Sequence, residues 1–247
     1  MTGMAPCPYL EAMSTAIITG ASHGFGRAVS EELARAGWDL VVDARDRADL
    51  AAAAATIDEV GSGVVEAIDG DVTDQLHRER LVEAATTRGG FSLLVNNASM
   101  LGPSPQPLLA AYPVEVLADV FAVNVVAPLH LIELSLPRLR QTGGTVVNVT
   151  SDAAIEAYEG WGGYGSSKAA LEQLSNVLAA EEPGIRVYWL DPGDMNTRMH
   201  QAAFPGEDIS DRPSPEERAP ALIRLLESML PSGRYVASDL LAETVRS

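Results

Sequence analysis

Cysteine, basic charge and long apolar runs are what this chain has least of. Cys7 is the only cysteine among 247 residues, so no internal disulfide can form, and no cysteine cluster exists to build a structural zinc site. A reducing, cytoplasmic setting fits that usage. Lys and Arg total 17 against 34 Asp and Glu, a formal net charge of −17, whose field repels nucleic acid and anionic lipid. Neither nucleic acid nor membrane is therefore an expected partner. No uninterrupted run of about eighteen apolar residues offers a membrane span. The opening MTGMAPCPYLEAM also lacks the basic start and apolar core of a secretion signal, and residues 1–13 read as a loose tail. No set of His, Cys and carboxylates suggests a metal.

What is present is a repeating alternation of short apolar runs with alanine-rich amphipathic segments. Hydrophobic residues make up 47% of the chain, enough for one sizeable core over 14–247. The apolar runs predict strands at 15–19, 39–43, 64–68, 92–96, 145–150, 185–190 and 234–238. The segments between them predict helices near 25–36, 46–59, 74–88, 113–140, 163–181 and 214–229, the fourth bent near Pro128. Alternating β and α elements imply a parallel sheet with crossover helices. The expected fold is α/β, a Rossmann-like doubly wound parallel sheet of about seven strands with helices on both faces. Residues 195–215, polar and proline-bearing, read as an irregular lid with Met199, His200 and Phe204 as candidate substrate contacts.

The first predicted strand runs into Thr19-Gly20-Ala21-Ser22-His23-Gly24-Phe25-Gly26 and then an amphipathic helix. Glycines permit a tight turn and close backbone approach, and a helix start offers free N–H groups to a pyrophosphate. That is the pattern of a dinucleotide site, and it places Gly20, Ser22, His23, Gly24, Phe25 and Gly26 against the cofactor. The second strand ends in Val42-Asp43-Ala44-Arg45. A carboxylate at the tip would take the ribose hydroxyls, whereas an arginine would favour a 2′-phosphate. Which of Asp43 and Arg45 faces the cofactor depends on the strand register.

Further along, Tyr164 and Lys168 are four residues apart on a predicted helix, so both side chains share one face. Ser151 lies thirteen residues upstream at the end of the fifth strand. A hydroxyl, a phenol and an ammonium brought together suit proton transfer at a carbonyl oxygen. The adjacent cation is expected to lower the phenol from about 10. Tyr158 competes for the same role but has Gly162, not lysine, four residues on; with Trp161 it reads as pocket wall. Asn124 stands alone in an apolar helix, where an unpartnered amide is costly. His130, on the same helix, reads as a satisfied or interface residue. Asn96 and Asn97 can tie neighbouring strands together while standing at the ligand edge.

Thr19, Gly20, Gly24 and Gly26 match T-G-x-x-x-G-x-G. With Asp71-Val72, Asn96-Asn97-Ala98-Ser99, Asn124, Ser151, Tyr164-x-x-x-Lys168 and Pro192-Gly193 with Thr197, in that order over roughly 15–200, the chain resembles the short-chain dehydrogenase/reductase family. The resemblance implies NAD(P)-dependent oxidoreduction, with Asn124, Ser151, Tyr164 and Lys168 catalytic. It places Asp71 and Val72 beside the adenine, Asn97 and Ala98 at the cofactor, and Pro192, Gly193, Met195 and Thr197 under the nicotinamide. It puts the family's acidic discriminator at Ala44 and a phosphate-contacting arginine at Arg45, which favours NADP(H) without excluding NAD(H). It also implies that Asn124 holds a water connecting Lys168 to solvent. The expected reaction is NADPH-dependent reduction of a carbonyl to a secondary alcohol, or the reverse, with a small-molecule carbonyl or alcohol as substrate. The family's usual dimer surface, on the predicted helices 113–140 and 163–181, implies a homodimer or homotetramer. A departure from the family is the short turn AAEEPGIRV. The alternatives are a non-catalytic nucleotide-sensing or interaction protein on the same fold and, less favoured, a nucleotide-sugar dehydratase or epimerase.

Overall fold

A computed structural model describes residues 15–242. Its centre is a seven-stranded sheet in the order β3-β2-β1-β4-β5-β6-β7, every neighbouring pair parallel. The strands are β1 Thr15–Ile18, β2 Asp39–Ala44, β3 Val65–Asp69, β4 Leu93–Asn96, β5 Thr145–Val149, β6 Arg186–Asp191 and β7 Gly233–Val236. The order reverses between β1 and β4, so the loops leaving those two strands diverge and open a crevice at their carboxyl ends. The fold class matches the sequence expectation.

Two apolar layers sandwich the sheet because successive strand residues face opposite sides. Ala16 and Ile18 of β1 join the layer packed by α1 (Gly24–Arg35) and α2 (Arg47–Val60). Ile17 joins the other, beneath α3 (Gln75–Thr87). Two successive helices, α4 (Val114–Phe121) and α5 (Ala127–Thr142), and then α6 (Gly162–Glu181), follow on the α3 side. Beyond them come α7 (Arg198–Ala203), α8 (Pro215–Arg218), α9 (Pro220–Ser228) and α10 (Ala237–Ala242). Asp46 caps α2 by accepting from the amides of Ala48 and Asp49, both at 2.9 Å, as a helix start beginning with Asp predicts.

Four expectations need correction. The long helix predicted over 113–140 is interrupted by a π turn at Ala122–Val126, which holds Asn124, rather than bent at Pro128; that proline sits in the first turn of α5, where it costs no hydrogen bond. Val114–Thr142 is long and apolar enough to cross a bilayer by length and composition, against the expectation of no such stretch. Its inner residues Leu131, Ile132 and Leu139 are spent on the sheet core. The last strand stops at Val236, and Ala237 and Ser238 begin α10 instead. The lid contains the helix α7, capped by Thr197, whose hydroxyl accepts from the His200 amide at 3.2 Å. Residues 1–13, read as a tail, lie outside the described residues, as does Cys7.

Polar side chains also tie the central strands. The Asn96 amide donates to Asn148 Oδ1 at 2.8 Å, and the Asn148 amide donates to Ser175 Oγ of α6 at 2.8 Å, all three buried. Asn148→Leu would strand the Asn96 amide and leave Ser175 without its donor. We expect a loss of about 1–3 kcal/mol, the cost of burying an unpaired polar group. That corresponds to a fall in Tm of several degrees, roughly 2–4 °C per kcal/mol at this chain length, measurable by calorimetry; an unchanged Tm would contradict the account.

Candidate active site

The crevice at the switch point is a cleft of about 430 Å³. One wall is the loop after β1. Thr19 Oγ1 accepts from the amides of Asn97 and Ala98, both at 3.0 Å, and the Asn97 side-chain amide donates to the carbonyls of Thr19 at 2.9 Å and Gly20 at 3.0 Å. The loops of β1 and β4 are thereby locked face to face. A Cβ on Gly20 would come within 2.9 Å of Ala98 Cα, and Gly20 has φ +67°, so both contact and backbone require glycine. A Cβ on Gly26 would run into the Asn97 amide. The loop delivers the chain to the start of α1, whose first turn holds no acidic side chain, so free N–H groups and the helix dipole are left to an anion.

Asp43 does not face the cleft. Its Oδ1 accepts from Gly20 N at 2.7 Å and its Oδ2 lies 2.9 Å from His77 Nε2, with both side chains buried. The Arg80 guanidinium donates to His77 Nδ1 at 3.2 Å, which leaves the Nε2 hydrogen for Asp43. Burial raises the Asp43 pKa, opposed by the His77 and Gly20 hydrogen bonds. Asp43 is thus consumed inside the fold, and exposed Arg45 is the residue at the tip of β2 that lines the cleft. No carboxylate among the described residues lies within ion-pair distance of Arg45. His23 is less free than its sequence position suggests, since Nε2 sits 3.2 Å from Asp49, which also holds Arg198 at 3.5 Å. Ser22 Oγ is 2.9 Å from His23 Nδ1.

Of the residues assigned to the cofactor, Gly20, His23, Gly24, Phe25, Arg45, Asn97, Ala98, Pro192, Gly193, Met195 and Thr197 line this cleft together with Tyr164 and Lys168. Ser22 and Gly26 are outside the cleft lining. Asp71 and Val72 are outside the cleft lining, past the end of β3. Burial acts to raise Asp71, but the Thr73 amide and hydroxyl, with Arg45 nearby, outweigh it and hold its carboxyl below the usual range.

At the other end stand Ser151, Tyr164 and Lys168. Tyr164 is 7% exposed and Lys168, the only lysine in the chain, 2%. Lys168 Nζ donates to the carbonyl of Val149 at 2.8 Å and lies 5.5 Å from the Tyr164 ring centre. The hydroxyls of Ser99 and Ser151 stand close enough to the Tyr164 phenol to act against its raised pKa. The expectation that Lys168 lowers the phenol is overturned here. Burial raises the Tyr164 pKa, the carboxylates of Asp191 and Asp152 add to it, and the two serine hydroxyls only partly offset it. The same burial brings Lys168 down to about 8, opposed by Asp191.

Asn124 stands behind this group, not in the cleft. It accepts from Met100 N at 2.7 Å and Ser99 Oγ at 3.2 Å, and donates to Met100 O and Ser167 Oγ, each at 2.9 Å. The π turn aims this amide across from α6 to the loop after β4, so the buried polar group is fully partnered. His130 is likewise satisfied, accepting from Arg78 Nε at 2.9 Å.

Around Ser151, Tyr164 and Lys168, Trp161 lines the cleft and packs edge-on against Tyr164 with ring centres 5.8 Å apart. Met199 and His200 also face it. Two expectations fail: Tyr158 is an exposed residue whose hydroxyl donates to Asp152 Oδ2 at 2.9 Å, and Phe204 backs Trp161 and His200 rather than lining the cleft. Asp194, unexplained in sequence, lies 3.7 Å from both Arg212 and His200.

Sequence reasoning missed Ser99, Asp152, Asp191 and Arg234. Arg234 on β7 bridges Asp191 at 2.8 Å and Glu172 at 3.0 Å, and Thr150 donates to the same Glu172 oxygen at 2.7 Å. Asp191 Oδ1 also accepts from Gly193 N at 2.9 Å. This network ties the ends of β5 and β6 to α6, directly under Ser151 and the Pro192-Gly193 turn. Ser99 stood inside a quoted motif without a role and Asp152 adjoined another, so both could have been found; Arg234 lies far along the chain and carried no local signal.

A family model for short chain dehydrogenases matches residues 14–208. Among curated relatives, sepiapterin reductase of Mus musculus is 34% identical over 202 residues, 76% of this chain and 76% of that protein. Among solved structures, a short chain dehydrogenase of Shigella flexneri complexed with NADP superposes with TM-score 0.84 at 26% identity, covering 91% of this chain and 97% of that one. NAD+-bound xylitol dehydrogenase superposes with TM-score 0.70 at 27% identity over 74% of this chain and 71% of that one. With its glycine loop at the switch point and its serine, tyrosine and lysine at the far end of the same cleft, the chain belongs to the short-chain dehydrogenase/reductase family and is an oxidoreductase acting on CH–OH and C=O groups.

Proposed function

We propose that this enzyme reduces a small-molecule carbonyl to a secondary alcohol with NADPH. The observation that carries the proposal is one cleft with Arg45 and the glycine loop at one end and Ser151, Tyr164 and Lys168 at the other. The fit to a dinucleotide rests on the loop itself: glycine is required where a side chain would close the cradle, and an unpaired arginine stands where a 2′-phosphate would lie. The NADP-bound Shigella relative agrees, whereas the NAD+-bound xylitol dehydrogenase keeps the preference a matter for test.

When bound, the nicotinamide supplies a hydride to the carbonyl carbon. This chain's own residues handle the oxygen and the proton. Ser151 and Tyr164 hold the carbonyl oxygen, and Tyr164 donates its proton as charge develops there. A phenol is protonated at neutral pH and burial strengthens that, so the resting site can act as the acid that reduction requires. Lys168, charged at pH 7, then stabilises the phenolate. Asn124 fixes Ser99 and the loop after β4; with both hydrogens and its oxygen already committed, its side chain is not free to hold the expected water toward Lys168. Residues 195–215, with α7, close over the substrate. The chain acts as a single domain in the cytoplasm. Exposed Val126 and Leu129 on the π-turn and α5 face, with Val177 on α6, supply the surface for a homodimer or homotetramer.

Tyr164→Phe should lose on the order of 10²–10⁴-fold in kcat while still binding NADPH by fluorescence titration; retained turnover would remove Tyr164 from the role. Arg45→Ala should weaken NADPH about tenfold, about 1.4 kcal/mol, and leave NADH unchanged. Equal loss for both cofactors would put Arg45 elsewhere than at the phosphate.

Lys168 also predicts how stability follows pH. Its folded pKa, about 8, lies below the unfolded value of about 10.4. Between the two, the unfolded chain binds a proton that the folded chain has released, so this contribution to stability rises with pH and is lost as pH falls through about 8. The Tyr164 shift has the opposite sign but begins only above about pH 10. The difference in unfolding free energy between the native enzyme and Lys168→Met should therefore climb from pH 8 to 10, by denaturant titration; a flat difference would refute it.

A further inference from the structure

Resting on the carbonyl-reducing reading above, we infer that Asp152 selects a substrate carrying a protonated amine a few bonds from its carbonyl. Asp152 follows the catalytic serine directly and lines the cleft. Its Oδ1 accepts from Ser151 Oγ at 2.9 Å and from Ala153 N at 2.8 Å, and its Oδ2 accepts from the Tyr158 hydroxyl at 2.9 Å. All three partners are neutral. The other carboxylates at this end are matched to bases: Asp191 to Arg234, and Asp194 to Arg212 and His200. Among the described residues no base lies within ion-pair distance of Asp152, so a negative charge faces the substrate space without a cation.

Distance and the serine's hydrogen both point to the substrate as that cation. A carbonyl oxygen hydrogen-bonded to Ser151 sits about 2.7 Å from Oγ, so the Asp152 carboxylate lies within about 6 Å of it. An ammonium two to three bonds from the carbonyl carbon spans that gap. With the site as it stands, the Ser151 hydroxyl hydrogen is given to Asp152, not to the cleft. An ammonium donating to Asp152 satisfies that oxygen and releases the Ser151 hydrogen for the carbonyl. An anionic group in the same place meets Asp152 with no base to answer it.

The test uses three ketones of matched shape with the NADPH complex at pH 7: 3-(dimethylamino)propiophenone as the cation, 4-methyl-1-phenylpentan-1-one as the neutral isostere, and 4-oxo-4-phenylbutanoate as the anion. Turnover is followed by NADPH absorbance and binding by tryptophan fluorescence. The cation should exceed the neutral ketone at least about tenfold in kcat/KM and in affinity, as a charge-assisted hydrogen bond gives, and the anion should fall below both. Asp152→Asn, which keeps an acceptor for Ser151 and Ala153, should bring the cation-to-neutral ratio close to one. Equal binding of cation and neutral ketone by the native complex overturns the inference, as does a preference that survives in Asp152→Asn. Turnover of the neutral ketone with no cation preference overturns only the substrate class and leaves the carbonyl-reduction reading intact. Tight, Asp152-dependent binding of the cation with no turnover of any ketone supports the inference and counts against that reading.

Discussion

The close approach of the loops after β1 and β4 is the constraint on which the site depends. Parallel strands whose order reverses between these two leave their carboxyl ends diverging, and something must hold the divergence at one width. Asn97 does so by donating to the Thr19 and Gly20 carbonyls, while Thr19 returns its hydroxyl oxygen to the Asn97 and Ala98 amides. The exchange is possible only because Gly20 and Gly26 present no Cβ. On the far side of the same turn, Asp43 takes the Gly20 amide and is braced by His77 of α3. A carboxylate in a sheet interior would be costly unpaired. Here it anchors the loop from below while Asn97 clasps it from the side.

That arrangement explains which parts of the site were legible in sequence. Glycines at fixed offsets, a tyrosine and lysine four apart and a lone asparagine in an apolar helix report local geometry, and local geometry survives without coordinates. Asp43 was ambiguous because a one-residue change of register exchanges the two faces of a strand. Only the pairing of Val42 with Ile18, and of Asp43 with Ile68, fixes which face it shows. The lid helix α7 escaped notice because six residues carry too little periodicity to stand out from a polar loop. Arg234 was invisible for a different reason: its partners Glu172 and Asp191 lie 62 and 43 residues away.

The cleft is electrically graded. Arg45 and the α1 start lie at one end; at the other, Asp191 and Asp194 are offset by Arg234 and Arg212, and Asp152 is left without a base in ion-pair distance among the described residues. Under the proposed function, an anionic dinucleotide would be drawn in with its phosphates toward Arg45. The unpaired Asp152 carboxylate at the substrate end would disfavour anionic compounds there. Orientation and selection would then come from one charge distribution.

Burial does most to set the acid-base pair, and it acts on the two members in opposite senses. Removing water disfavours charge, so the phenol holds its proton more tightly and the ammonium releases its own more readily. Reading Tyr164 and Lys168 from spacing alone considered their mutual attraction and left out this larger effect. The two serines and Lys168 cannot make the phenolate a resting state against it. They can lower the cost of forming it for the moment of transfer, which is when a reductase needs it. Asp191 reinforces the same bias, since its charge favours a neutral phenol and a charged lysine together. Its own place is secured by Arg234, so a residue 70 positions beyond Tyr164 in the chain helps keep the phenol neutral, the state in which the proposed reduction would use it.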